Sequence, residues 1–184
     1  MKGGVMSPKK VADFLDKGKN QKYHGGCDCG HIRYELLEKP IFVNCCHCTW
    51  CQRETGSAFV INAVIEAKNI KLLSGEPIEI ATPSASGKGQ VISRCPKCFV
   101  AVYSSYAGAG PIIKFVRVGT LDNPNLCPPQ AQIFTATKQD WVVLNPDIPA
   151  FEIYYDMNEL YPPESLARRN ALKDEIKAWK SAQG

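Results

Sequence analysis

The sequence predicts a mainly β fold of small antiparallel sheets pinned together by clustered cysteines, with a short helix at either end. Three observations predict it. Between residues 25 and 142, short β-branched and aromatic runs are repeatedly broken by turn residues. Helical spacing of apolar residues is confined to the two ends of the chain. Most of the nine cysteines lie in tight local groups that are far apart in sequence. At 184 residues the chain suits one domain able to bury about 70% of its unfolded surface. Its 45% hydrophobic and 22% charged content is ordinary for a globular protein.

Ser7 followed by Pro8 reads as an N-cap with proline at N1. Val11, Phe14 and Leu15 then recur at helical spacing, which predicts a helix ending near Gly18. Strands are predicted at 32–36, 58–65, 70–73, 78–80, 91–93, 100–103, 112–119 and 132–134. Ser74-Gly75-Glu76-Pro77 and the small polar residues of 84–89 are turn or loop composition, as are Asn123-Pro124 and Cys127-Pro128-Pro129. After Pro162-Pro163 a last helix is expected, with Leu172, Ile176 and Trp179 on one face. The expected organisation is an N-terminal helical extension (1–21), a metal-binding domain (22–156) and a C-terminal helical extension (157–184).

The cysteines carry the chemistry. Cys27 and Cys29 form a C-x-C pair, Cys95 and Cys98 a C-x-x-C pair, and Cys46, Cys48 and Cys51 a C-x-C-x-x-C run directly after Cys45; Cys127 stands alone. Steps this short let one turn of backbone present two sulfurs at about 2.3 Å from one ion, the tetrahedral preference of Zn²⁺. Neither pair closes a tetrahedral site by itself, so Cys27, Cys29, Cys95 and Cys98 are expected to share a structural zinc. Cys46, Cys48 and Cys51 leave a fourth position open, as catalytic zinc sites do. Cys45 or His47 could fill that position and make a second closed site, although His47, between two ligands, is expected to face away. C-x-C neighbours cannot bridge without strain and nine is an odd number, both of which argue against a disulfide framework.

Three thiolates give zinc a soft, electron-rich character suited to a substrate thiol. Around the trio, Thr55 and Ser57 are candidate donors to an anionic oxygen, and Gly56 permits close backbone approach. Arg53 is a candidate partner for a substrate carboxylate. The alternative is that Thr55-Gly56-Ser57 is simply the turn that enters the next strand.

These residues resemble the glutathione-dependent formaldehyde-activating (GFA) family, which includes the centromere protein V relatives. The resemblance rests on Gly26-Cys27-Asp28-Cys29-Gly30-His31-Ile32-Arg33-Tyr34-Glu35, on Cys46-His47-Cys48-Thr49-Trp50-Cys51-Gln52-Arg53-Glu54-Thr55-Gly56-Ser57-Ala58-Phe59, and on Cys95-Pro96-Lys97-Cys98. Val118-Gly119-Thr120-Leu121-Asp122 and Ile133-Phe134 leading to Trp141 fit the same pattern, so it spans roughly residues 22–156. The resemblance implies a β-tent fold around two zinc ions. Cys27, Cys29, Cys95 and Cys98 would hold the structural ion, and Cys46, Cys48 and Cys51 the catalytic one. It also implies condensation of glutathione with formaldehyde, a carbon–sulfur lyase activity. Two departures stand out. Phe99 replaces the glycine usual after the second C-x-x-C cysteine and is expected to avoid positive φ, altering that knuckle. Cys45 adds a thiol beside the trio.

The functional expectation is therefore a zinc enzyme that adds a thiol, such as glutathione, to an aldehyde, or cleaves such a C–S bond. Two alternatives are a zinc enzyme acting on a non-thiol small molecule through activated water, and a non-catalytic binding module. Only the basic terminal stretch of Arg168, Arg169, Lys173, Lys177 and Lys180 favours the module. The zinc chemistry and the resemblance imply a small-molecule partner; the modest net charge of +4 argues against nucleic acid, and the absence of an 18-residue apolar run against a membrane. The polar N-terminus carries no secretory core, which with the clustered thiols predicts a reducing cytoplasm.

Overall fold

Strand order is set by which runs can be buried on both faces and which on one. The structure, a computed structural model, describes residues 23–84 and 86–183. The predicted helix near residues 7–18 lies outside them. Ten strands form two sheets. The smaller joins β1 (Tyr23–Gly26), β2 (Arg33–Leu36) and β5 (Ile70–Ser74) in the order β1-β2-β5. The larger contains β3 (Phe42–Cys46), β4 (Val60–Glu66), β6 (Ile78–Thr82), β7 (Gln90–Arg94), β8 (Ala101–Tyr106), β9 (Ile113–Arg117) and β10 (Ala131–Ile133). Its order is β10-β3-β4-β9-β8-β7-β6, antiparallel throughout except for the β10–β3 pair.

The mainly β expectation holds, and each of the eight predicted strands matches an observed one within a few residues. Two strands, β1 and β3, and the helix α1 (Thr49–Thr55) were not predicted. The C-terminal helical signal resolves into α2 (Met157–Leu160), α3 (Pro163–Asn170) and α4 (Lys173–Ser181).

Register divides the large sheet into two working faces. Val43, Ala63 and Val116 pair across β3, β4 and β9. With Ile65 and Val118 they form the core against Tyr34 and Leu36 of the small sheet. One residue along each strand the opposite face appears, as a period of two requires. There Asn44, Asn62 and Arg117 pair in a row, next to Cys46 and Val60. The C-terminal helices cover the far part of this face. Leu172 and Ile176 pack with Val64, Ile112 and Ile113, and the Trp179 ring lies against Gly110. Arg168 reaches back to Glu66 at the end of β4, with Nε and Nη2 donating at 2.9 and 2.5 Å.

Candidate active site and metal centres

The first cysteine group joins the two sheets. Cys27 and Cys29 sit in the turn between β1 and β2, and Cys95 and Cys98 in the turn between β7 and β8. Their four sulfurs lie within 4.8 Å of one another. Cys27–Cys29 and Cys29–Cys95 sulfur separations are 3.6 and 3.7 Å. A tetrahedron of radius 2.3 Å has an edge of about 3.8 Å, so the sulfurs fit around one zinc-sized ion. Backbone donors point the same way. The N–H of Ile32 donates to Cys27 Sγ at 3.2 Å, and that of Lys97 to Cys95 Sγ at 3.4 Å. N–H groups of Cys29 and Val100 hold the Cys98 thiol down to about 6. Such donors stabilise thiolate, the form that ligates metal.

Phe99 overturns one expectation. It adopts the left-handed conformation at φ 59°, with its N–H donating to the Cys95 carbonyl at 3.0 Å. The backbone turn that wraps the sulfurs fixes that conformation, and the half-exposed phenyl accepts it. The knuckle is therefore kept despite the missing glycine.

The second group is local. Cys46 ends β3, Cys48 is the N-cap of α1, and Cys51 lies in the first turn of α1. The Cys48 sulfur accepts the Cys51 N–H at 3.4 Å, which starts the helix and aims both side chains inward. All three are buried, with sulfurs inside a 4.8 Å sphere of mutual distances. Hydrogen bonds from the Cys46 and Cys51 thiols hold Cys48 well below the ordinary thiol value. Cys46 is pushed up by its hydrogen bonds to Cys48 and Cys51 and then by burial. A divalent cation at the centre of the trio would favour all three as thiolates. Cys45 and His47 are outside this group. They point to the other side, their Sγ and Nε2 3.6 Å apart, and His47 packs on Phe59.

Beside the trio is a cavity of 340 Å³ lined by Cys46, Cys48 and Cys51. Trp50, Tyr106, Phe115, Phe134 and Tyr154 supply aromatic walls, Asn44 and Asn62 line its sheet side, and Ser84, Ser86 and Lys88 contribute from the β6–β7 loop. None of these was singled out in the sequence. The available signal was an asparagine within each of two β-branched runs, at 44 and 62, where a polar side chain needs a reason.

Arg53, Thr55 and Ser57 do not line this cavity. The turn of α1 that directs Cys48 and Cys51 inward leaves all three exposed. The Thr55 hydroxyl donates to the Cys51 carbonyl at 2.8 Å, and Gly56 ends the helix at φ 64°. Thr55 instead borders a separate 460 Å³ cavity by Arg94 and Phe99.

A mainly β chain with one four-cysteine and one three-cysteine group, each able to hold a metal ion, defines the class. Residues 22–137 match the model of the glutathione-dependent formaldehyde-activating enzyme family, and the chain belongs to that family. No curated protein matches it. Among solved structures, a Rhodobacter sphaeroides protein from a structural genomics programme is similar at 17% identity, covering 70% of this chain and 99% of that one, with a TM-score of 0.42. Among the described residues, no helix is long and apolar enough to cross a membrane.

Proposed function

We propose that the three-cysteine cavity is the active site of a zinc enzyme that adds a thiol, with glutathione the leading candidate, to a small aldehyde, or runs that reaction in reverse. The observation that carries the reading is the pairing of a buried, three-sulfur group with a 340 Å³ cavity at its side, while a separate four-sulfur group closes on itself. Family membership supports the thiol and the aldehyde as substrates. Zinc held by Cys46, Cys48 and Cys51 would supply a soft Lewis acid that lowers the pKa of an incoming thiol.

The chain's residues then do three things. The aromatic walls shape the approach of the aldehyde. The Cys48 cap and the Thr55 bond to the Cys51 carbonyl fix α1, so two of the three sulfurs keep their direction. The β6–β7 loop offers Lys88 and two serine hydroxyls for the polar remainder of a substrate. In the addition, the thiolate electron pair forms the C–S bond and the carbonyl π pair moves to oxygen. That oxygen takes a proton from water, and the hydroxide left behind accepts the proton released by the thiol. The step is redox-neutral.

The test is the rate of glutathione–formaldehyde condensation above its spontaneous background, followed by exchange NMR. The wild type should accelerate it, and Cys48→Ser should abolish the acceleration while the protein remains folded. Equal rates with and without the wild-type protein, for glutathione and for other thiol–aldehyde pairs, would reject the reading.

A further inference from the structure

We infer that Asn62 is the catalytic hydrogen-bond donor of the three-cysteine cavity, receiving the oxygen of the substrate carbonyl, and that Arg117 is the residue that positions it. The inference rests on the thiol-addition reading above. Asn62 is 4% exposed, on the middle of β4, and lines the cavity. Its Oδ1 accepts from Arg117 Nη1 at 2.6 Å, the one hydrogen bond to this side chain among the described residues. A carboxamide whose oxygen is engaged in this way is fixed in orientation, and its two Nδ2 hydrogens have no partner among the described residues.

Register places this amide beside the chemistry. Asn62 pairs with Asn44, and Cys46 lies two residues beyond Asn44 on the same face of β3. Asn62 and Cys46 are thus diagonal cross-strand neighbours, at about 7–8 Å between backbones. A carbonyl carbon attacked by a sulfur delivered at the trio has its oxygen between the two. Negative charge develops on that oxygen during addition, and a buried donor aimed at it lowers the barrier without rearranging.

Arg117 is buried with few polar partners. It is 6% exposed, its Nε has no partner, and it forms no ion pair among the described residues. Burying a guanidinium without a carboxylate is costly. Its bond to Asn62 both orients the amide and makes its hydrogens more acidic.

The test compares zinc-loaded wild type with Asn62→Asp, Asn62→Ala, Arg117→Lys and Trp50→Phe. The readouts are glutathione–formaldehyde kcat, glutathione affinity by calorimetry and the thermal midpoint. Asn62→Asp keeps an oxygen for Arg117 but removes the donor, so a structural role would tolerate it. Its kcat should fall about 100-fold with affinity for glutathione and thermal midpoint retained. Asn62→Ala should do the same if its fold persists, and Arg117→Lys should lower kcat less. Wild-type kcat in Asn62→Asp overturns the inference, as does glutathione affinity that falls in step with kcat. Loss of kcat in Trp50→Phe alone would move the donor to the indole, whose buried Nε1 also lacks a partner. Failure of the underlying reading looks different: the wild type itself would then neither bind glutathione nor turn over, and the inference would fall with it.

Discussion

At the level of single residues, the four-cysteine knuckle imposes a backbone that its own side chain resists. A bulky residue at φ 59° carries about 1–2 kcal/mol of strain relative to glycine. Phe99 is 60% exposed, so little packing offsets that strain. Phe99→Gly should therefore stabilise the protein by about 1 kcal/mol in urea unfolding, part of the gain being lost to the freer unfolded chain. A destabilised variant would mean that the phenyl makes contacts worth more than the strain. The cysteine spacing alone made both metal groups legible, because a local C-x-x-C step dictates sulfur geometry. Sterics predict that Phe99 refuses the turn, but the four-cysteine turn overrides a preference of that size. Thr55 and Ser57 stay out of the three-cysteine cavity for a related reason. Adjacency in sequence is not adjacency in space: one turn of α1 separates the inward cysteines from the outward hydroxyls.

Among the elements, β3 is illegible in the sequence because it is buried on both faces. All five of its residues are buried, so its sequence shows no alternation, and the Cys45–Cys46 pair hides its β character. Helix α1 has only seven residues and is organised by the Cys48 sulfur rather than by an apolar stripe. The C-terminal helices were legible from Leu172, Ile176 and Trp179, but their attachment was not, since Glu66 and Arg168 are 102 residues apart. Burial alone would raise the Glu66 pKa. Hydrogen bonds from Arg168 and Asn69 outweigh it and hold the carboxyl below its ordinary value. A depressed folded pKa contributes stability above the unfolded value of about 4.3 and loses it as pH falls through the folded value. Arg168→Ala should thus cost about 1.5–3 kcal/mol at neutral pH, at the lower end because Arg168 is 29% exposed. Thermal scans should show the gap between variant and wild type closing below pH 4.3, as Glu66 protonates. A gap that stays constant down to the acid limit would assign Arg168 a packing role instead.

Across the whole molecule, the two cysteine groups have different jobs under the proposed function. One is a fastener between sheets: its ligands come from turns 66 residues apart, Cys29 and Cys95. The other is carried by one short stretch, β3 into α1, on a sheet face that also bears a cavity. Structural zinc in small peptides contributes on the order of 10–16 kcal/mol of apparent folding energy, so removing one ligand of the fastener should be felt throughout. Cys98→Ser should lower the thermal midpoint sharply and expose both sheets to hydrogen exchange together. An unchanged midpoint would show that the sheets hold without the metal.

The central claim is that Cys46, Cys48 and Cys51 form a metal centre with a position open to a thiol. Cobalt substitution followed by titration with glutathione tests it directly. Thiolate-to-cobalt charge-transfer absorption should grow as glutathione is added and should weaken at lower pH, where protons compete for the sulfur. Cys46→Ala should erase the response, and Cys127→Ala, which changes a buried cysteine belonging to neither group, should preserve it. Spectra that stay unchanged across glutathione and several small thiols would contradict the account.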